Sequence, residues 1–175
     1  MKKIYIIGIV ASGKTTLARK LSQKLGIPWY ELDCIIYNDH PGGRHKRTPE
    51  QQVELIHEID KAGQWIVEGT YRQFCHCLLD MADTIIFLDP PLWKRKFRIL
   101  KRFVKQQLGI EKCHYKSNMK MLKLMYRWTG EFEAGRQKFE GMVIKKVLWK
   151  TGDKIFYPKG FTDPDYCILK FTAYI

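Results

Sequence analysis

Residues 8–15 read GIVASGKT, a match to Gly-x-x-x-x-Gly-Lys-Thr. No other stretch restricts the possible folds as strongly. Such a loop turns the backbone tightly, points successive N–H groups inward and ends where a helix begins. It therefore needs a buried strand before it and an amphipathic helix after it. The flanks comply. Ile4-Tyr5-Ile6-Ile7 is a short apolar run suited to a buried strand, and Leu17, Leu21 and Leu25 recur at helical spacing. Gly8, Ala11, Ser12, Gly13, Lys14, Thr15 and Thr16 are then the residues that line a polyphosphate. Lys14 reaches its β- and γ-phosphates and the Thr15 hydroxyl holds Mg²⁺. ATP and Mg²⁺ are the expected cofactors, because the chain has no Asn-Lys-x-Asp guanine signature.

The pattern continues along the chain. Pro28–Leu32 reads as a second short strand ending at Asp33, and residues 38–47 (NDHPGGRHKR) as a loop. Thr48-Pro49-Glu50-Gln51 opens a helix with a Thr cap, Pro in the first turn and Gln at the capping-box position, and that helix should stop at Gly63. A strand over 65–68 and a short helix over 72–81 precede Thr84–Leu88, the clearest buried strand, which Asp89-Pro90-Pro91 ends. Residues 92–108 are predicted to be a helix that carries Trp93, Phe97, Leu100, Val104 and Leu108 on one face, with core packing the default for Trp93. Helices over 117–128 and 131–150, a last strand over 154–157 and a short helix capped by Thr162-Asp163-Pro164 complete the map.

Strands alternating with helices mean an α/β fold: a mostly parallel sheet with helices on both faces. Ligands in such sheets sit outside the carboxyl ends of the strands. The chemically able residues fall there: the glycine loop, Asp33, Glu68 to Arg72, and Asp89.

The chain has 175 residues, and no linker, repeat or low-complexity run divides it, so one domain over 1–175 is expected. No apolar stretch is long enough to cross a bilayer, and the apolar start is interrupted at once by the glycine loop, so no membrane partner and a cytoplasmic location are expected. Five cysteines, an odd count, argue against a disulfide framework. The net charge of +13 is unevenly placed: residues 92–150 hold 17 Lys/Arg against 4 Asp/Glu, while the remainder balances at 14 against 14. Such a field attracts polyanions, so nucleic acid is a possible partner of 92–150.

Phosphoryl transfer needs a metal, a neutralised γ-phosphate and a positioned acceptor. Glu68 and Asp89 both end apolar strands near the loop, and either can serve the metal beside Thr15. Asp33 is placed to accept a hydrogen bond, or a proton, from a substrate hydroxyl. Arg72, just past Gly69, suits a phosphate or carboxylate of the acceptor, and Arg44 and Arg47 can clamp it from the loop above. Arg95, Arg98 and Arg102 fall about a turn apart on the basic helix and can fold over the transferring phosphate, with Arg136 contributing from further on.

Four segments carry a family resemblance: IIGIVASGKTTLARKLSQKLGIPWYELD (6–33), Tyr37 to Arg44 ending PGGR, WIVEGTYR (65–72) and ADTIIFLDPP (82–91). In these the chain resembles the adenylate-kinase-related P-loop kinases known as DNA topology modulation proteins. The resemblance covers most of the first half and weakens after about residue 105. It implies a three-layer P-loop NTPase of nucleoside-monophosphate-kinase type, with a five-stranded sheet in the order 2-3-1-4-5. It also implies an acceptor-binding region over 34–63 and a basic helical lid over 92–135. Glu68-Gly69-Thr70-Tyr71-Arg72 is similar to the Asp-Gly-Phe-Pro-Arg stretch of adenylate kinases, which implies a magnesium-side role for Glu68 and an acceptor-phosphate role for Arg72. That favours Glu68 over Asp89 for the metal. The family loop usually has Gly where this chain has Ala11; a positive φ there would cost about 1 kcal/mol.

Three activities fit these residues. The first is transfer of the ATP γ-phosphate to a nucleotide or similar small phosphorylated acceptor, with Lys14, Asp33, Arg95 and Arg98 catalytic and Asp33, Arg44, Glu68, Gly69 and Arg72 on the substrate. The second is a P-loop protein that binds nucleic acid or modifies its ends. The third is an ATPase switch with no small acceptor.

Overall fold

A computed structural model describes residues 2–40, 43–72, 75–110, 118–151 and 166–170, with residues 39–40, 136–151 and 166–170 as backbone only. Strand β1 (Lys3–Gly8) runs into the glycine loop and then helix α1 (Lys14–Leu25). Next come β2 (Trp29–Glu31), α2 (Leu32–Ile36), the hairpin β3 (Tyr37–His40) and β4 (Gly43–Lys46), and α3 (Pro49–Lys61). Strand β5 (Trp65–Gly69), α4 (His76–Met81), β6 (Thr84–Leu88), α5 (Leu92–Gln107), α6 (Met119–Thr151) and β7 (Tyr166–Lys170) follow. The five-stranded sheet has the order β2-β5-β1-β6-β7, parallel except for β7, which runs antiparallel to β6.

The central strands are mostly apolar because both of their faces are covered, with Glu68 on β5 the one buried charge among them. Side chains alternate across the sheet. Tyr5, Ile7, Val67, Ile85 and Phe87 pack on one side with Leu32, Ile35, Ile36, Ile56 and Leu78 of α2, α3 and α4. Ile4, Ile6, Ile66, Ile86 and Leu88 pack on the other with Leu17 and Ala18 of α1. This sandwich fixes the carboxyl ends of β1, β2, β5 and β6 side by side. Helix α3 starts as the sequence predicts: the Thr48 hydroxyl accepts from the Gln51 N–H at 3.4 Å, and the Gln51 side chain accepts from the Thr48 N–H at 3.0 Å. Such a cap contributes about 1 kcal/mol. Among the described residues, no helix is long and apolar enough to cross a membrane.

Several expectations are corrected. Asp33, expected at the end of the strand over 28–32, lies in the first turn of the short helix α2, because β2 stops at Glu31. Residues 38–47 are not a plain loop, because Tyr37–His40 and Gly43–Lys46 pair antiparallel across the breaker residues. The helices expected over 117–128 and 131–150 are one helix, α6; Gly130 and Gly135 lower helix propensity without ending it. The strand expected over 154–157 and the cap at Thr162–Pro164 lie outside the described residues, and 166–170 forms a strand rather than a helix.

The core packing expected of Trp93 is also corrected. Trp93, Phe97, Leu100, Val104 and Leu108 do share one side, and all are exposed, Trp93 by 67% and Phe97 by 62%. The buried face holds Arg95 and Ile99 instead. Periodicity identifies an apolar stripe but not what covers it. Here α6 is α5's neighbour, and it takes the side opposite the larger stripe.

Candidate active site

The glycine loop joins β1 to α1 at the middle of the sheet. Gly8 must be glycine: a Cβ there would lie 2.5 Å from Ser12 Oγ and 2.8 Å from the Leu88 carbonyl. Ala11 has φ 59°, the left-handed region that an L-residue enters at a cost of about 1–2 kcal/mol. The strain that the Ala-for-Gly difference predicts is thus a feature of the fold. Gly13 caps α1, so the first N–H groups of that helix face the loop interior. Thr16 is exposed in the first turn of α1.

Lys14 Nζ donates to the Ile9 carbonyl at 3.0 Å, folding back over the loop. Burial pushes its pKa down; Glu68 and Asp33 oppose this, Arg102 adds to it, and Glu31 opposes it. The Thr15 hydroxyl donates to Glu68 Oε1 at 2.5 Å. Glu68 is buried on β5, in register with Ile6 of β1. Burial raises its pKa, Lys14 and the Thr15 hydrogen bond lower it, and Glu31 and Asp33 raise it further. A hydroxyl and a carboxylate meeting beside a lysine form an oxygen-rich set that suits Mg²⁺. Asp89 follows β6 on the other side of β1, beside Leu88, which is in register with Gly8. The Thr15 contact is with Glu68.

The outer part of the site faces the 34–63 region. Arg72 Nη2 lies 3.5 Å from Asp33 Oδ1, and Arg44 Nη2 donates to the Asp33 carbonyl at 3.4 Å. The Arg44 guanidinium also sits 4.4 Å from the Tyr37 ring centre. Asp33, Arg44 and Arg72 therefore share one exposed mouth. Gly69 lies against Leu32, where a Cβ would collide with the Leu32 Cβ, so β5 and α2 pack closely beneath that mouth. Arg47 does not join them: its Nη1 donates to the Cys34, Ile35 and Tyr37 carbonyls and ties down the end of α2.

The three arginines of α5 separate. Arg98 Nη1 donates to the Ser12 carbonyl at 3.0 Å and the Ala11 carbonyl at 3.4 Å, which brings α5 onto the loop. Arg102 is close enough to bear on Lys14. Arg95, expected over the phosphate, is instead fully buried, ion-paired with Glu133 of α6 and lying over the Phe132 ring. A guanidinium held this way is part of the α5–α6 packing. Arg136 lies beyond the residues whose side chains are described.

Two residues were not singled out from the sequence. Glu31 is in register with Glu68 on the neighbouring strand; its signal was the i, i+2 pair it makes with Asp33 at the end of β2. Thr70 donates through its hydroxyl to the Gly8 carbonyl at 3.2 Å, bracing the start of the loop. Nothing local in the sequence marks that contact.

No family model matches the chain. It is similar to two proteins described as tRNA dimethylallyltransferase. The one from Synechococcus sp. (strain CC9902) is 39% identical over 57 residues, 32% of this chain and 19% of that protein. The one from Prochlorococcus marinus is 24% identical over 189 residues, 95% of this chain and 61% of that protein. The chain thus spans about three fifths of the second relative, and its match to the first covers about a fifth. Among solved structures it is similar to a shikimate kinase from Bacteroides thetaiotaomicron (14% identity, TM-score 0.46, 75% of this chain and 79% of that one). A gluconokinase from Sinorhizobium meliloti 1021 is also similar (15% identity, TM-score 0.40, 83% and 97%). Identities this low leave the chemistry to be argued from the side chains.

Proposed function

We propose that the protein is an ATP-dependent phosphotransferase that moves the γ-phosphate to a small acceptor carrying a hydroxyl and an anionic group. The contact between the Thr15 hydroxyl and Glu68, beside Lys14, supports this most directly. It sets the metal-side oxygens at the inner end of a site whose mouth holds Asp33 and Arg72. Thr15 and Glu68 would hold Mg²⁺, which neutralises phosphate charge when bound.

The loop N–H groups and Lys14 bind the polyphosphate. Lys14 trades the Ile9 carbonyl for phosphate oxygens. Arg72 holds the acceptor's anionic group, with Arg44 at the rim, and Asp33 accepts the hydrogen bond of the reacting hydroxyl. The acceptor oxygen bonds to the γ-phosphorus, the bond to the β–γ bridging oxygen breaks, the proton passes to Asp33, and ADP leaves. Arg98, already on the loop's carbonyls, is positioned to turn toward the transferring group.

A nucleic-acid acceptor is the second possibility, supported by the 17-to-4 charge excess of residues 92–150 and by a tRNA-directed relative aligned along 95% of the chain. One experiment separates the two. The protein is incubated with Mg·ATP and a panel of nucleosides, nucleotides, sugar acids and oligonucleotides. A phosphorylated small product, abolished by Lys14→Met, supports small-molecule transfer. Labelling confined to oligonucleotides supports the second possibility, and ADP release that no acceptor alters refutes both.

A further inference from the structure

Helix α5 has two apolar faces, and among the described residues only one is packed against the rest of the molecule. Ile99 and Phe103 face Met121, Leu122 and Met125 of α6 across a small gap. The other face carries Trp93, Phe97, Leu100 and Val104, all exposed. These four are spaced by four, three and four residues, the alternation of d and a positions in a heptad. At 100° per residue they span about 60° of arc, and about 80° with Leu108. That is the narrow seam that one helix offers another; a helix lying in a lipid surface presents a broader apolar face.

The flanks decide which helix fits. In this register Lys94 and Lys101 fall at e, and Lys96 at g, directly beside the seam. Helix α5 carries seven Lys/Arg and no Asp or Glu. A second copy is therefore the wrong occupant. Antiparallel pairing sets e against e, parallel pairing sets g against e, and both bring lysine onto lysine. Base stacking does not account for the aliphatic Leu100 and Val104. We infer that the outer face of α5 is a docking surface for an acidic amphipathic helix, with an apolar a/d seam about two heptads long flanked by Glu at e and g. The seam residues make no part of the nucleotide site, so this interaction is separate from the proposed transfer.

The test uses a labelled synthetic peptide with Leu and Ile at a and d and Glu at e and g, a matched peptide with Lys at e and g, and the full chain. Anisotropy should show the Glu-flanked peptide binding at least about tenfold more tightly than its Lys-flanked match, and weakening as salt is raised. Phe97→Ser/Leu100→Ser should weaken it by about tenfold or more, with the helical circular dichroism signal retained because both side chains are exposed. Lys96→Glu/Lys101→Glu, which leaves the seam intact, should reverse the preference toward the Lys-flanked peptide. The inference is overturned if neither peptide binds or if both bind equally. It is equally overturned if the charge-reversed variant keeps the original preference, or if Phe97 is instead needed for self-association, for binding anionic vesicles or for binding duplex DNA.

Discussion

Replacing Glu133 should damage the protein more than replacing Arg95, although the two form one ion pair. The asymmetry follows from where each partner sits. The Arg95 side chain is 0% exposed, whereas that of Glu133 is 34% exposed. Arg95 Nε and Nη1 are also buried without a hydrogen-bond partner among the described residues, so the carboxylate of Glu133 carries most of the compensation for that cation. Glu133→Gln keeps an oxygen that can accept one hydrogen bond but removes the charge. It leaves a guanidinium stranded between two helices, at about 3 kcal/mol, the low end of what breaking a buried pair costs. Arg95→Met removes the buried cation itself, fills much of its volume, and frees Glu133 to take up water. What remains is the lost contact with the Phe132 ring, about 1 kcal/mol or less.

Urea unfolding of the wild type, both single variants and the double variant measures these terms and their coupling. The double variant should sit close to Arg95→Met. Affinity for a nonhydrolysable Mg·ATP analogue should change by less than about threefold in Arg95→Met, since that side chain faces α6. An Arg95→Met variant less stable than Glu133→Gln would refute the account of the pair. A stable Arg95→Met variant that loses turnover by about 100-fold would return Arg95 to the catalytic group from which its burial removes it.

Three further outcomes follow from the site. Burial raises the Glu68 pKa, so the folded protein holds that proton more tightly than the unfolded chain; the cost of ionising it is absent below the ordinary value near 4.5 and develops as pH rises through the folded value. Glu68→Gln should therefore raise the urea midpoint at about pH 7, with the gain vanishing at about pH 4, and a gain that grows on acidification would contradict the shift. Ala11→Gly should stabilise the fold by about 0.5–1 kcal/mol, the relief of a left-handed alanine less the entropy glycine adds to the unfolded chain, and a lower melting temperature would count against the strain. Arg72→Ala should raise KM for a phosphorylated acceptor by about tenfold or more while moving KM for ATP less than about threefold, and equal changes in both would remove Arg72 from the acceptor.

The parts legible in the sequence are those whose causes are local. The GIVASGKT loop, the Thr48–Gln51 cap and the apolar runs at 4–7 and 84–88 each carry their own geometry within a few residues, and all form the expected elements. Placing Asp33 and Arg72 at one mouth required only that strand ends meet on one side of a parallel sheet. What could not be read depends on a partner distant in sequence. Arg47 is drawn to the carbonyls ending α2, and the register of Glu31 with Glu68 needs β2 and β5 to lie side by side. The hairpin over 37–46 forms by pairing its two arms, although the breaker residues between them read as loop.

Helix α5 shows how far that limit reaches. At 100° per residue, Arg95, Arg98 and Arg102 lie within about 60° of one another, so helical geometry alone gives them one destination. They have different ones, because a guanidinium goes where its charge is met. Arg98 finds the loop carbonyls of Ala11 and Ser12, and Arg95 finds Glu133, 38 residues away. Burying Arg95 is what turns Trp93 and Phe97 to solvent: once α6 takes the Arg95–Ile99 side, the larger apolar stripe has no place inside. One ion pair thus sets three features together: which arginine remains at the glycine loop, which is spent on packing, and which face of the helix is left exposed. A helix rotated to bury Trp93 and Phe97 would swing Arg98 off the loop. The exposed seam and the loop contact are consequences of one orientation.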